Sequence, residues 1–219
     1  ADFLDFQLGV HDLVPGGDPS RVQTGGLALP PPGPAGSLYV AGGEQIVPIV
    51  NAEVERAREA GAKVVYTQDW HPEHTPHFQR DGGIWPVHCV EDTHGAEFHE
   101  DLFVADSDVV RKGHDGRDGY SGFSVRDPLS GERGDTLLHE MLEANGIERL
   151  VICGLATDYC VVETVLDARM LGYPVEVLTD AVRAVELQPG DGATALARMR
   201  EAGAERDRCA RITREPRTQ

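Results

Sequence analysis

Apolar positions along this chain follow two alternating patterns. In residues 44–60 they recur at Ile46, Ile49, Val50, Val54 and Ala57, the spacing of one helical face, and Gly61 stands where a glycine ends a helix. Residues 63–67, Lys-Val-Val-Tyr-Thr, form a short β-branched run that predicts a buried strand, and residues 108–110 predict a weaker one. Asp135 is placed to cap a helix running through Asn145, with Gly146 as its stop. Residues 150–153 then predict a buried strand, about 158–171 a helix, 175–178 a strand and 192–201 a last long helix. A first strand is expected to end near Asp5.

Strands alternating with helices predict a parallel sheet covered by crossover helices. The expected class is α/β, a three-layer α/β/α sandwich. Two stretches break the rhythm. Residues 15–36 are rich in Pro and Gly and predict an extended surface loop, and residues 113–134, rich in Gly, Asp and Ser, predict another. At 219 residues the whole chain, 1–219, reads as a single domain with a sizeable core.

Charge and composition narrow the function. A formal net charge of -17 repels phosphate backbones and anionic lipid, so nucleic acid and membranes are not expected partners. No apolar run approaches the roughly twenty residues of a membrane span. Residues 1–5 lack the basic start and apolar stretch of an export signal, which predicts a cytoplasmic protein. The cysteines, at 89, 153, 160 and 209, are scattered and form no CxxC pair, so reduced thiols are expected.

Candidate chemistry gathers after the predicted strands, at the sheet edge where open α/β folds place ligands. Asp69 and His71, in Thr-Gln-Asp-Trp-His-Pro, and His88, in Trp-Pro-Val-His-Cys, are a donor set suited to Zn²⁺, Fe²⁺ or Mn²⁺. A lone Asp-x-His is more often two surface-loop residues than a metal site. Cys160 falls in the first turn of a predicted helix, where the helix dipole and free N–H groups lower a thiol pKa and can hold an oxyanion. The same position suits a buried structural thiol, the reading given to Cys89, Cys153 and Cys209. A nucleophilic thiol needs a base and its leaving amine an acid; Asp5 and Lys112 both follow strand-like segments and could serve.

Taken together, LDFQ at 4–7, GSLYVAGG at 36–43, TQDWHP at 67–72, WPVHCV at 85–90, RKG at 111–113, GYSGF at 119–123 and GLATDYCV at 154–161 resemble the nicotinamidase/pyrazinamidase branch of the isochorismatase-like cysteine hydrolases. The resemblance implies a Rossmann-like sheet and an Asp5–Lys112–Cys160 triad. It also implies a cis bond at Leu155–Ala156 and an oxyanion hole from the Ala156 and Cys160 N–H groups. One divalent metal, zinc first with iron or manganese as alternatives, would sit on Asp69, His71 and His88. Trp85, Tyr120 and Tyr159 would wall the substrate ring. The implied reaction converts nicotinamide, or a similar small aromatic carboxamide, to its acid and ammonia through a Cys160 thioester, a step of NAD salvage.

Two departures from the family pattern stand out. Thr75 falls where relatives carry an additional histidine and His77 where they carry a serine, so neither His74 nor His77 is assigned to the metal. Some thirty residues separate LDFQ from GSL, leaving Val10 and Leu13 where an aromatic pocket residue is usual. Two other readings stay open: an amidase of the same superfamily cutting carbamoyl or ureido amides, whose members generally lack this ligand set, and a non-catalytic binding module. Lys112 and Cys160 both speak for catalysis. Association into a homo-oligomer is left open.

Overall fold

The computed structural model describes residues 38–104 and 107–207, together with the main chain of residues 2–7. The Pro/Gly-rich stretch 15–36, Val10, Leu13 and Cys209 lie outside the described residues. Six strands form one sheet in the order β3-β2-β1-β6-β7-β8, every neighbouring pair parallel: β1 (Asp2–Gln7), β2 (Lys63–Asp69), β3 (Asp108–Lys112), β6 (Arg149–Leu155), β7 (Val175–Arg183) and β8 (Glu205–Asp207). The class is the expected α/β sandwich.

The predicted helices form, with shifted starts. A short 3₁₀ turn, Gly43–Ile46, leads into α1 (Val47–Glu59), whose Pro48 sits in the first turn where its missing N–H costs nothing. Gly61 ends it at φ 74°: the Gly61 N–H donates to Arg58 O and the Ala62 N–H to Ala57 O, a Schellman closure. Gly146 closes α2 (Leu138–Ala144) in the same way, with Ile147 N–H on Leu142 O. Asp135, however, does not cap α2. It ends β5 (Arg133–Asp135), and the Thr136 hydroxyl takes the Leu138 N–H instead, at 3.1 Å. The stretch 113–134 is also not wholly loop, because β5 pairs antiparallel with β4 (Ser124–Arg126). Three-residue strands with exposed flanks carry too short an alternation to stand out from a polar sequence.

Strand order gives the sheet its functional geometry. From β1 the chain moves outward through β2 to β3, then returns to β6 on the other side of β1 and moves outward through β7 to β8. With right-handed crossovers this reversal puts α1 on one face and α3 (Val162–Met170) and α4 (Asp191–Glu201) on the other. The reversal between β1 and β6 leaves a crevice at the carboxyl ends of the strands. Val65, Ile152, Leu150 and Val177 fill the central strands with no exposed surface, and Ile46, Val50, Leu138, Leu142 and Val165 pack over them.

Ile152 sits mid-strand in β6, paired with Asp5 on one side and Val177 on the other. Truncation to alanine there should cost about 2–5 kcal/mol in equilibrium urea unfolding, since a central strand cannot collapse into the void. A loss below about 1 kcal/mol would contradict this placement of the core.

Candidate active site

Two strand ends create the charged centre. Asp69 is the last residue of β2 and Lys112 the last of β3, and the parallel register sets them opposite each other. The Lys112 ammonium, 2% exposed, donates to the Asp69 carboxylate and the Gly119 carbonyl and lies 3.6 Å from Cys160 Sγ. Burial alone would depress the lysine pKa, but the Asp69 carboxylate holds it above the ordinary value, so the group stays cationic. The Gly119 approach needs a residue without a side chain, because a Cβ there would lie 2.9 Å from Lys112 Cβ and 2.8 Å from Gly113 N.

Beyond Asp69 the chain changes partners. Trp70 N–H still follows the sheet to Lys112 O, but His71 pairs with the segment around Val90, donating its N–H to Cys89 O at 2.8 Å and accepting the Glu91 N–H. Phe78 pairs likewise with Trp85. These two rungs fold residues 70–91 back on themselves and bring three histidines together. One ring nitrogen each of His71, His77 and His88 falls within a group whose atoms are no more than 4.8 Å apart, and all three residues are buried. His77 Nδ1 meets Asp118 Oδ1 at 2.5 Å and His88 Nδ1 meets Pro86 O at 2.8 Å; donating there makes Nε2 the lone-pair nitrogen of each ring. Burial lowers the His71 pKa to about 4 against the pull of Asp69, so that imidazole is neutral near pH 7. Gly113, at φ 81°, makes room for it: a Cβ there would lie 2.5 Å from the His71 ring.

Cys160 arrives from the other side of the crevice. After β6 the Leu155–Ala156 peptide is cis, and residues Thr157–Val161 form a single π-helical turn, with Val161 N–H on Ala156 O, before α3 begins. π-turns of this kind recur at functional sites. Asp158 fastens the turn by accepting the N–H groups of Val185 and Glu186, each at 2.9 Å. Sequence spacing places Cys160 where its pKa should fall; the structure differs. Burial pushes the thiol up to about 11, and the Lys112 ammonium and an Ala156 N–H hydrogen bond pull it back only in part. The resting group is therefore a thiol, and a base must take its proton.

Between the histidines and the thiol lies a pocket whose lining includes His71, His77, His88 and Cys160. Trp85, Tyr120 and Tyr159 line it: Trp85 Nε1–H donates to the Tyr120 hydroxyl at 2.6 Å, and the Trp85 and Tyr159 rings meet edge to face at 4.7 Å. Burial pushes the Tyr159 phenol to about 12 and raises Tyr120 as well, so these walls are neutral.

The structure thus brings Lys112, Cys160, Ala156, Trp85, Tyr120, Tyr159, His71, His88 and Asp69 to one crevice. Asp5 lies in β1 in register with Val65 and Ile152, and its side chain lies outside the described residues. Asp69 groups with His88 and Cys89, while its carboxylate is engaged by Lys112. His77, unassigned by sequence, takes the place beside His71 and His88. His74 points away, 71% exposed and paired with Asp81. The signal for His77 was its neighbour Phe78, fully buried, which turns the loop inward. Asp118 was missed because its partner lies 41 residues away.

Comparison with known proteins places these features in a family. The isochorismatase domain model matches residues 23–207. The nicotinamidase of Escherichia coli is 38% identical over 186 residues, 77% of this chain and 85% of that protein. Among solved structures, the pyrazinamidase of Pyrococcus horikoshii in complex with zinc superimposes with a TM-score of 0.75 at 36% identity, covering 94% of this chain and 98% of its own. PnC1 from L. infantum, solved with nicotinate, gives 0.76 at 31% identity, covering 94% and 92%.

The raised thiol pKa sets a pH dependence. In substrate-free protein the thiolate fraction grows as pH rises toward about 11, so alkylation of Cys160 by iodoacetamide should still be accelerating at pH 9. A rate that levels off below pH 8 would contradict this electrostatic picture.

Proposed function

The chain belongs to the isochorismatase domain family, and on that footing we propose that it is an amidohydrolase converting nicotinamide, or a similar small aromatic carboxamide, to the acid and ammonia. The observation that carries this reading is the Lys112–Cys160 contact of 3.6 Å at one end of an aromatic pocket whose other end holds three histidines. Relatives named as nicotinamidases support the substrate class, and the zinc complex and the nicotinate complex support a metal site and a pyridine carboxylate pocket respectively.

In the proposed cycle Asp5 takes the Cys160 proton and the thiolate attacks the carboxamide carbon. Lys112 offsets the negative charge of thiolate and carboxylate, which lowers the cost of forming them in a buried site. The Ala156 and Cys160 N–H groups receive the oxyanion. The C–N bond then breaks, ammonia leaves with the proton returned by Asp5, and the acyl group stays on sulfur as a thioester. Water, deprotonated by the same carboxylate, cleaves the C–S bond and releases the acid. Trp85, Tyr120 and Tyr159 would flank the substrate ring.

His71, His77 and His88 would hold one divalent ion, zinc first, with Asp69 beside His88. The residues fit such an ion. Among the described residues His71 Nδ1 is a buried nitrogen without a hydrogen-bond partner, and two of the three rings are oriented by bonds at Nδ1. When bound, the ion supplies a Lewis-acid anchor for a ring nitrogen.

Ammonia release from nicotinamide tests the reading. Activity should vanish in Cys160→Ala and fall on the order of 10³-fold or more in Lys112→Ala, the response of groups that act as one unit. Exhaustive chelation should also abolish it, and Zn²⁺ should restore it. Metal-replete, folded protein that releases ammonia from a carbamoyl amide but not from nicotinamide would move the assignment to the carbamoyl-cutting branch.

A further inference from the structure

One carboxylate near the histidines has no part in the chemistry above. Asp118 leaves β3 by six residues and sits in the loop that also carries Gly119 and Tyr120. Its Oδ1 accepts from His77 Nδ1 at 2.5 Å, the His77 side chain being 4% exposed and that of Asp118 20%. The main chain of Asp118 is fixed independently: its N–H donates to Arg126 O at 2.7 Å and its carbonyl accepts the Arg126 N–H at 2.8 Å, a two-bond rung to β4. The loop carrying His77 is stitched to the same region, since the Thr75 hydroxyl accepts the His77 N–H at 3.2 Å and donates to Gly116 O at 2.9 Å.

Each end of this contact is therefore held by bonds that do not involve the imidazole. A carboxylate can only accept, so it selects the Nδ1–H tautomer of His77 and leaves the Nε2 lone pair toward His71 and His88. It also leaves more electron density on the ring than a neutral acceptor would, making Nε2 the better lone-pair donor to a cation. His88, by contrast, meets the neutral carbonyl of Pro86. The β4–β5 hairpin is thus linked to the histidine cluster through Asp118, by main chain on one side and side chain on the other.

We propose that Asp118 is a positioning residue of the metal centre, fixing the tautomer and angle of His77 so that the three-histidine cluster takes up a divalent ion. This rests on the reading of His71, His77 and His88 as metal ligands. Substrate contact is not part of the role: Asp118 acts through His77.

The test uses full-length protein and two readouts independent of activity. In metal-free wild-type protein, long-range ¹H–¹⁵N spectra should report His77 as the Nδ1–H tautomer, and Asp118→Ala should shift it to a mixture or to Nε2–H. Zinc affinity, measured by competition with a chromophoric chelator, should fall about 10–100-fold in Asp118→Ala, the range seen when an outer partner of a ligating histidine is removed. Asp118→Asn, which keeps an acceptor oxygen without the charge, should lie between. Because the rung to Arg126 is main chain, the melting temperature of the metal-free variants should match wild type. A lowered melting temperature with unchanged zinc affinity would assign Asp118 a merely structural role and overturn the proposal. An Nε2–H tautomer in the wild type would overturn it as well. If wild type and His77→Ala both fail to bind zinc, the metal reading falls and takes the proposal with it. If wild type binds zinc, His77→Ala does not and Asp118→Ala binds as wild type, the proposal alone is overturned.

Discussion

A fully buried ammonium is the constraint around which this crevice is organised. Taking a lysine charge out of water costs several kcal/mol unless partners replace the solvent. Among the described residues Lys112 has three: the Asp69 carboxylate, the Gly119 carbonyl and the Cys160 sulfur. Each imposes something on the fold. Asp69 must end β2 opposite the end of β3, which fixes the register of those strands. Gly119 must approach with no side chain. The turn after β6 must deliver a sulfur to the same point, and Asp158 holds that turn against the segment following β7. The cation is thus the place where strands from both halves of the sheet are tied together.

The histidine cluster is built on different physics. No sheet strand carries it; two isolated bridges, at His71–Val90 and Phe78–Trp85, close a loop of some twenty residues. Backbone strain is held there too, Cys89 standing at φ 45° directly after His88. The pocket between lysine and histidines is consequently polar at both ends and aromatic along its wall.

Much of this was legible in the chain. β2 and β6 announced themselves as β-branched runs because parallel strands are buried on both faces, and Gly61 and Gly146 marked helix ends because only glycine takes a left-handed C′ position without strain. Asp69, Lys112 and Cys160, which follow the predicted strands 63–67, 108–110 and 150–153, could be singled out on the same grounds. What escaped were features decided by tertiary contact. The β4–β5 hairpin and β8 are three residues per strand, below the length at which alternation is readable. Asp135 had the chemistry of a cap but was drawn into β5, leaving Thr136 the task. His77 and Asp118 meet only once two loops fold together. The Cys160 thiol went against expectation because a helix start lowers a pKa only when desolvation does not outweigh it, and here it does.

One pocket thus holds a thiol beside a buried lysine at one end and a histidine cluster at the other, and the proposed substrate would span them. A crystal structure of zinc-loaded Cys160→Ala soaked with nicotinamide tests it most directly. The account predicts a ring nitrogen facing His71, His77 and His88, the ring against Trp85 and Tyr159, and the carboxamide beside Ala156 and position 160. A carboxamide turned toward the histidines, or nicotinamide bound outside this pocket, would contradict it.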